Sequence, residues 1–380
     1  MSSRSHNKID RFFLISVSLL TAFGFTVFLS ASLGLLAQNG ASFGSVAAKQ
    51  AISLSLGIIV FFIFSRIHYT WLRKIAFFIF IGAIAINLVL FIPRLSLNHG
   101  GASRWIDIGF ITFQPSEFLK IAFIVYLAAW CYHAKDRIKN MRNGLLPYVG
   151  IMAVLTVLLL VQSDTYTLMI IGVTGGLMLI IAGVPLKHMA MAAAFMAVIV
   201  VGVIFMRPYA YQRVKTFLNH SQDTQGAGYQ INQSLIAIGS GQLTGRGFGQ
   251  SVQKFGYLPQ PTDDSIFAVA AEEFGFVGSV ALLILYLLFA TSVFRIGIRS
   301  PDVFGGLVAI GIGVLIVTES FMNMAAMLGL LPLSGVPLLF VSHGGTALII
   351  ALMAAGIIAN VSKYQGGQGV RAQRNQELEN

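Results

Sequence analysis

Only 14 acidic side chains occur in 380 residues, and those placed to do chemistry fall at a few points. Glu117 stands three residues before Lys120, so the two share a helical face. Asp164 lies between two apolar runs, Asp263 and Asp264 precede a third, Glu272 and Glu273 follow about two turns later, and Glu319 is inside a fourth. Arg104, Arg207, Arg213, Arg246 and Lys254 supply positive charge nearby in sequence. Ionisable groups in or beside hydrocarbon are costly and therefore candidates for function. Together they suit one chemistry. Arginine forks pair with phosphate oxygens, a carboxylate can act as general base toward an attacking hydroxyl, and a charge-neutralised pyrophosphate leaves readily. That is glycosyl transfer from a polyprenyl-pyrophosphate sugar. Each group also has a structural reading. Glu117 with Lys120 can be an ion pair holding a helix end, and Asp164 or Asp264 can be a helix N-cap. Glu319 can be a buried hydrogen-bonding group, and the basic residues can bind lipid headgroups.

The elements that must position these residues are membrane-spanning helices. Hydrophobic residues make up 56% of the chain, charged residues 10%, and mean hydropathy is +0.79. A soluble domain carries roughly 25% charged residues. Apolar runs of about 17–25 residues, the length that crosses hydrocarbon, fall at 12–37, 46–65, 71–92, 116–132, 146–162, 165–183, 188–206, 266–294, 303–325 and 338–361. The expected fold is all-α and polytopic, with about ten transmembrane helices and a large structured extracytoplasmic loop between the seventh and eighth. The first run is longer than the apolar core of a cleaved signal peptide and reads as an uncleaved anchor.

With the N-terminus in the cytoplasm, 16 of the 25 basic residues fall in cytoplasmic loops and tails, as the positive-inside rule expects. The net charge of +11 is therefore assigned to topology and not to nucleic acid. Most of the other basic residues lie in two outward loops, about 93–115 and 207–265. In the second, Tyr229–Ile238 reads as a short amphipathic helix, and Gly239, Gly241, Gly245, Gly247 and Gly249 allow sharp turns. The loop lacks the ending of a P-loop, which argues against a nucleotide. It reads as a lid or site wall, or, more simply, as a flexible loop. The lone Cys131 forms no intramolecular disulfide. Residues 1–364 read as one membrane domain and 365–380 as a disordered cytoplasmic tail.

Specific motifs add to this. Gly100-Gly101-Ala102-Ser103-Arg104-Trp105-Ile106 is followed by Gln114-Pro115-Ser116-Glu117 and Lys120. Arg207-Pro208-Tyr209-Ala210-Tyr211-Gln212-Arg213 comes next, then Gln233-Ser234-Leu235 through Gly249-Gln250-Ser251 and Lys254. Tyr257-Leu258-Pro259 leads to Asp264, Ile266-Phe267-Ala268 and Glu272-Glu273. Asn323, Gly329-Leu330-Leu331-Pro332, Gly335-Val336-Pro337 and Ser342-His343-Gly344-Gly345 close the series. In order and spacing, over nearly the whole chain, this resembles the shape, elongation, division and sporulation family of peptidoglycan glycosyltransferases.

The resemblance implies an enzyme of the inner (plasma) membrane with both termini cytoplasmic and an extracytoplasmic active site. It would polymerise lipid II into a β-1,4 glycan strand with inversion, alongside a class B penicillin-binding transpeptidase and divisome or elongasome proteins. Asp264 aligns with the family's essential aspartate and is expected to be the base or, with Asp263, the ligand of a divalent cation such as Mg2+ or Mn2+. Arg104, Glu117, Lys120 and Asp164 are expected to line the substrate cavity, with Arg213 and Lys254 as pyrophosphate ligands. The sequence leans toward the division branch over elongation. Some positions depart from the pattern. Ser163-Asp164-Thr165-Tyr166-Thr167 replaces Pro-Asp-x-Gly-Thr, Asp263 stands where a threonine is usual, His343 replaces a tyrosine and Glu319 a glutamine. A flippase for the same lipid is the competing reading, although no inverted repeat is visible. A scaffold that only recruits the transpeptidase is the third, and leaves the clustered polar groups unexplained.

Overall fold

Apolar runs that satisfy their own backbone as helices, stopped by caps and by glycine or proline, account for most of the architecture. The computed structural model describes residues 8–37, 43–92, 96–99, 102–107, 112–206, 208–218 and 226–365. Helix α1 (Arg11–Ser32) begins where the Asp10 carboxylate accepts from the Phe13 amide at 2.9 Å. Helices α2 (Phe43–Arg66) and α3 (Tyr69–Val89) follow, and α4 (Pro115–Ala134) starts on a proline, which suits the first helical position. Next come α5 (Leu145–Val161), α6 (Thr165–Ile181) and α7 (Leu186–Met206). Beyond the two short helices α8 (Pro208–Leu218) and α9 (Ala227–Ser240) stand α10 (Ile266–Ile298), α11 (Val303–Met327) and α12 (Gly345–Ser362).

Helices α4, α11 and α12 form the buried centre, whereas α2, α3 and the later part of α10 expose large apolar side chains such as Phe62, Phe78 and Leu287. That inversion of a soluble surface is what lipid allows. The α2–α12 contact is close enough that a Cβ at Gly356 would meet the Phe61 backbone 2.6 Å away, the kind of small-residue approach that packs helices in membranes. The chain is a polytopic, mainly helical membrane protein. Among the described residues seven helices are long and apolar enough to cross: α1, α2, α3, α4, α10, α11 and α12. Helices α5 and α6, at 17 residues each, reach about 26 Å by helical rise.

Three features differ from the expectation. First, the 93–115 loop carries a small antiparallel sheet, β1 (Ser96–His99), β2 (Ala102–Asp107) and β3 (Thr112–Phe113), in the order β1-β2-β3. Strands this short leave no period-two pattern to read, and the joining Gly100 and Gly101 lie outside the described residues. Second, α10 is broken at Gly275, whose φ of 66° and ψ of −163° no helix contains. Third, the last helix starts at Gly345 and not near 338. The apolar Leu338–Val341 stretch is buried but irregular, its backbone bonded by side chains. Ser342 Oγ accepts from the Leu338 amide at 2.8 Å and the Tyr286 hydroxyl donates to the Leu339 carbonyl at 2.5 Å. Hydropathy records the burial of such a segment and not its conformation.

The expected amphipathic helix at 229–238 is present as α9, two residues longer at each end. Arg207 and the tail from 366 onward lie outside the described residues.

Candidate active site

Asp263 and Asp264 sit in a tight turn just before α10. The amides of Asp263 and Ser265 both donate to the Gln260 carbonyl, at 3.1 and 3.2 Å. The turn is tied down from α11 and from the segment leading to α12. Asn323 Nδ2 donates at 2.8 Å both to the Asp264 carbonyl and to the Val336 carbonyl. Ser342 Oγ donates to the Asp263 carbonyl at 2.8 Å, and the His343 amide to that of Thr262 at 2.7 Å. Ser265, not Asp264, occupies the N-cap position of α10, so capping does not consume the Asp264 carboxylate.

The backbone is thus bound while both carboxylates are left over. Asp263, with 42% of its side chain exposed, faces His343 Nδ1 at 3.3 Å, and that imidazole stacks on Phe28. The half-buried Asp264 carboxylate accepts no hydrogen bond among the described residues. Burial first, and then the Asp263 charge, push its pKa from 3.8 up to about 7; Arg213 and Arg104 pull the other way. Opposite stands Gly335 at φ 66°. A Cβ there would lie 3.5 Å from Asp264 Oδ2 and 4.0 Å from Arg213 Nη2, so the glycine keeps open the space that carboxylate and guanidinium share.

Arg213, on α8, donates through Nη1 to the carbonyls of Leu333 (2.7 Å) and Ser334 (3.3 Å) and lies 5.4 Å above the Tyr166 ring. The Tyr166 hydroxyl binds the same Leu333 carbonyl at 2.6 Å. Arg104, on β2, donates through Nη2 to the Ser163 carbonyl, while its buried Nε has no partner among the described residues. Ser163 takes a left-handed φ of 59° directly before Asp164, which caps α6. The Thr167 hydroxyl donates to Asp164 Oδ2 at 2.9 Å and the Thr167 amide to Oδ1 at 3.3 Å. The turn that proline and glycine shape elsewhere is made here by serine, with the aspartate kept as cap.

Glu117 and Lys120 do pair, at 2.9 Å, and Lys120 also reaches Glu319 Oε2 at 2.6 Å. All three are buried between α4 and α11, and Asp164 acts on Glu319 electrostatically. A buried Glu–Lys–Glu group fixes the relative position of two helices. Glu319 Oε1 is left without a partner among the described residues.

Lys254 requires a correction. Its side chain is fully buried, and its three ammonium donors are committed to Glu273 Oε1 (2.7 Å), Ser30 Oγ (2.9 Å) and the Gly249 carbonyl (3.0 Å). An ammonium has three donors, so none remains for a pyrophosphate. Lys254 instead locks the glycine-rich loop onto α1 and α10. Glu272 completes the lock, accepting from Ser251 Oγ at 2.6 Å and from the Val252 and Gln253 amides at 3.0 and 3.3 Å. The loop is ordered, and a Cβ at Gly245 would collide with the Glu273 carbonyl.

Among the described residues no group of three or more His, Cys, Asp or Glu is gathered as metal ligands. The Asp263–Asp264 pair nevertheless fits a hard cation whose remaining ligands are substrate oxygens and water, which is how Mg2+ commonly binds. Ser30, Tyr166 and the Leu333 carbonyl were not read from sequence, because none carries charge. The flag available for Tyr166 was its place two residues after Asp164.

A family model described as a cell cycle protein, FTSW_RODA_SPOVE, matches residues 10–366. Stage V sporulation protein E of Bacillus subtilis is 36% identical over 325 residues, 84% of this chain and 87% of that protein. A probable peptidoglycan glycosyltransferase FtsW from Trichlorobacter lovleyi is 36% identical over 354 residues, 93% of each chain. Among solved structures, a chain of a peptidoglycan synthase complex superposes with a TM-score of 0.77 at 22% identity, covering 94% of this chain and 99% of that one. The rod shape determining protein RodA of Thermus thermophilus gives 0.67 at 22% identity, covering 94% and 98%. With a family match over almost its full length and such relatives, this chain belongs to the FtsW/RodA/SpoVE family of cell cycle proteins.

Proposed function

We propose that this protein is a peptidoglycan glycosyltransferase that polymerises lipid II at the face of the membrane where Asp264 lies. The observation that carries the mechanism is the Asp264 carboxylate, unbonded among the described residues, half-buried and poised near neutral pH, across Gly335 from Arg213. A base whose pKa lies near the working pH is effective at proton transfer. Asp264 takes the proton of the acceptor sugar hydroxyl as its oxygen attacks the anomeric carbon of the donor. The bond from that carbon to pyrophosphate breaks on the opposite side, so the centre inverts and undecaprenyl pyrophosphate leaves. Arg213 and the spare Nε of Arg104 supply positive charge for the departing anion. Asp264 and Asp263 are the residues that would hold a divalent cation such as Mg2+ or Mn2+, which would supply further neutralisation of the departing charge. Glu117, Lys120 and Asp164 hold the cavity's base in position.

The finer topology belongs to the same proposal: ten spans, counting α5, α6 and α7, with both termini cytoplasmic and the Asp264 face extracytoplasmic. A class B penicillin-binding transpeptidase is the proposed partner, supported by the likeness to a chain of a peptidoglycan synthase complex. The relatives named FtsW favour division over elongation. The test is polymerisation of labelled lipid II by the purified protein with its transpeptidase, beside Asp264→Ala. Glycan product from the native protein and none from the variant is expected. Full activity in the variant sinks the mechanism, and lipid II scrambling across liposomes without polymer would point to a flippase.

A further inference from the structure

A cleft of about 550 Å³ lies between α5, α6 and α7, and none of the ionisable groups described above lines it. It is the size of a ligand pocket, yet its walls offer nothing to a polar ligand. Met152, Leu168, Gly172, Gly176, Met189 and Ala192 contribute to the lining. The two polar side chains in it are already bonded: the Tyr148 hydroxyl donates to the Gly172 carbonyl at 2.8 Å and Thr156 Oγ1 to the Met152 carbonyl at 2.6 Å. With both hydroxyls spent as donors, the lining suits an apolar occupant better than water or an ion, since water needs two to four polar partners.

From this we infer that the cleft seats the polyprenyl chain of the lipid-linked substrate, an assignment that rests on the polymerase reading. Continuity with the anion site is the argument. Helix α6 begins at its Asp164 cap, beside the Ser163 carbonyl that holds Arg104, and Tyr166 lies under Arg213. Leu168, where the cleft wall begins, is one turn further, about 6 Å along the axis, and Ile180 at its far end is about 18 Å beyond that. A lipid whose pyrophosphate sits at Arg104 and Arg213 thus has an apolar channel for its chain directly below.

The wall also suits an isoprenoid in particular. A methyl-branched chain needs indentations, and Gly172 and Gly176 supply two on one face of α6, a turn apart. At each, an added Cβ would meet only the tip of a methionine, Met152 or Met189, at 3.5 Å. Methionines adapt readily to irregular partners.

Two measurements on the full-length protein in liposomes test this. In the first, undecaprenyl phosphate carrying a diazirine labels the native protein. Adducts are expected on α5, α6 and α7, displaced by untagged undecaprenyl phosphate and not by excess phosphatidylglycerol. Adducts confined to other helices, or equal displacement by the phospholipid, overturn the assignment in favour of ordinary boundary lipid. In the second, Gly172→Leu and Gly176→Leu fill the cleft. The KM for undecaprenyl lipid II is expected to rise about tenfold, the loss of roughly two buried methylenes, toward that of a farnesyl analogue. Equal effects on both chain lengths overturn it. Labelling requires no turnover, so a native protein that labels here without making polymer would discard the polymerase reading alone.

Discussion

Two pairs of adjacent acids bracket the first turns of α10, and the fold treats them in opposite ways. Glu272 and Glu273 are buried and bonded: hydroxyls, backbone amides and the Lys254 ammonium converge on both Glu272 oxygens and on Glu273 Oε1, while Glu273 Oε2 finds no partner among the described residues. Asp263 and Asp264 are partly open. Donors converge on their backbone carbonyls and leave the carboxylates over, with His343 alone among the described residues bonding to Asp263's. The same residue chemistry is thus tied into the scaffold in one place and left accessible in the other. Donors around a carboxylate stabilise its charge and fix its geometry; their absence at a half-buried position raises its pKa and keeps its lone pairs for substrate.

The sharpest way to break this division is to exchange the expected phenotypes. Asp264→Asn should lower polymerisation of lipid II by about 10²–10⁴-fold, the range for a lost general base, without loss of melting temperature. The sign of the stability change follows from its raised pKa. The folded state holds the Asp264 proton more tightly than the unfolded one, so this group's contribution is full below its ordinary 3.8 and lost as pH rises through about 7. The variant should therefore melt higher than the native protein at alkaline pH, with the advantage gone in acid. Thermal melts across pH read this directly.

Lys254→Met should do the reverse, costing about 3–5 kcal/mol because it strands the Glu273 carboxylate in the interior. Limited proteolysis should then cut the 241–263 loop, and pairing the change with Glu273→Leu should recover part of the loss. A Lys254 variant that keeps its melting point but loses activity would erase the distinction between the two pairs.

Glu272→Ala should fall below that, at about 1–3 kcal/mol for the donors left unsatisfied, read in the same melts. The smallest effect concerns tuning. Activity should rise with pH to an inflection near 7. Asp263→Asn, which removes a charge that raises the Asp264 pKa, should move the inflection to lower pH, and Arg213→Gln should move it higher. Identical profiles in all three proteins would mean that Asp264 is not the titrating base.

Much of the fold was legible because hydrocarbon imposes length and polarity locally. Six of the seven long spans begin within a few residues of where the apolar runs place them. The twelfth helix did not, because Leu338–Val341 is apolar without being helical. Asp164 and Asp264 were legible as the polar residues at the ends of apolar runs. Lys254 was expected as a pyrophosphate ligand from the resemblance alone, and only the burial of its amine against Ser30, 224 positions away, shows that its donors are committed elsewhere.

The sequence by itself determined the membrane class, the approximate spans and the Glu117–Lys120 pairing, since each depends on neighbours within a few turns. Tertiary structure alone decided which charges remain available. Lys120 finds Glu319 across 199 residues, Arg213 reaches Leu333 across 120, and Asn323 and Ser342 bind the backbone carbonyls of Asp264 and Asp263 while no donor among the described residues reaches the Asp264 carboxylate. A charge is used or spared according to the donors packed around it, and those come from distant segments that no local pattern records.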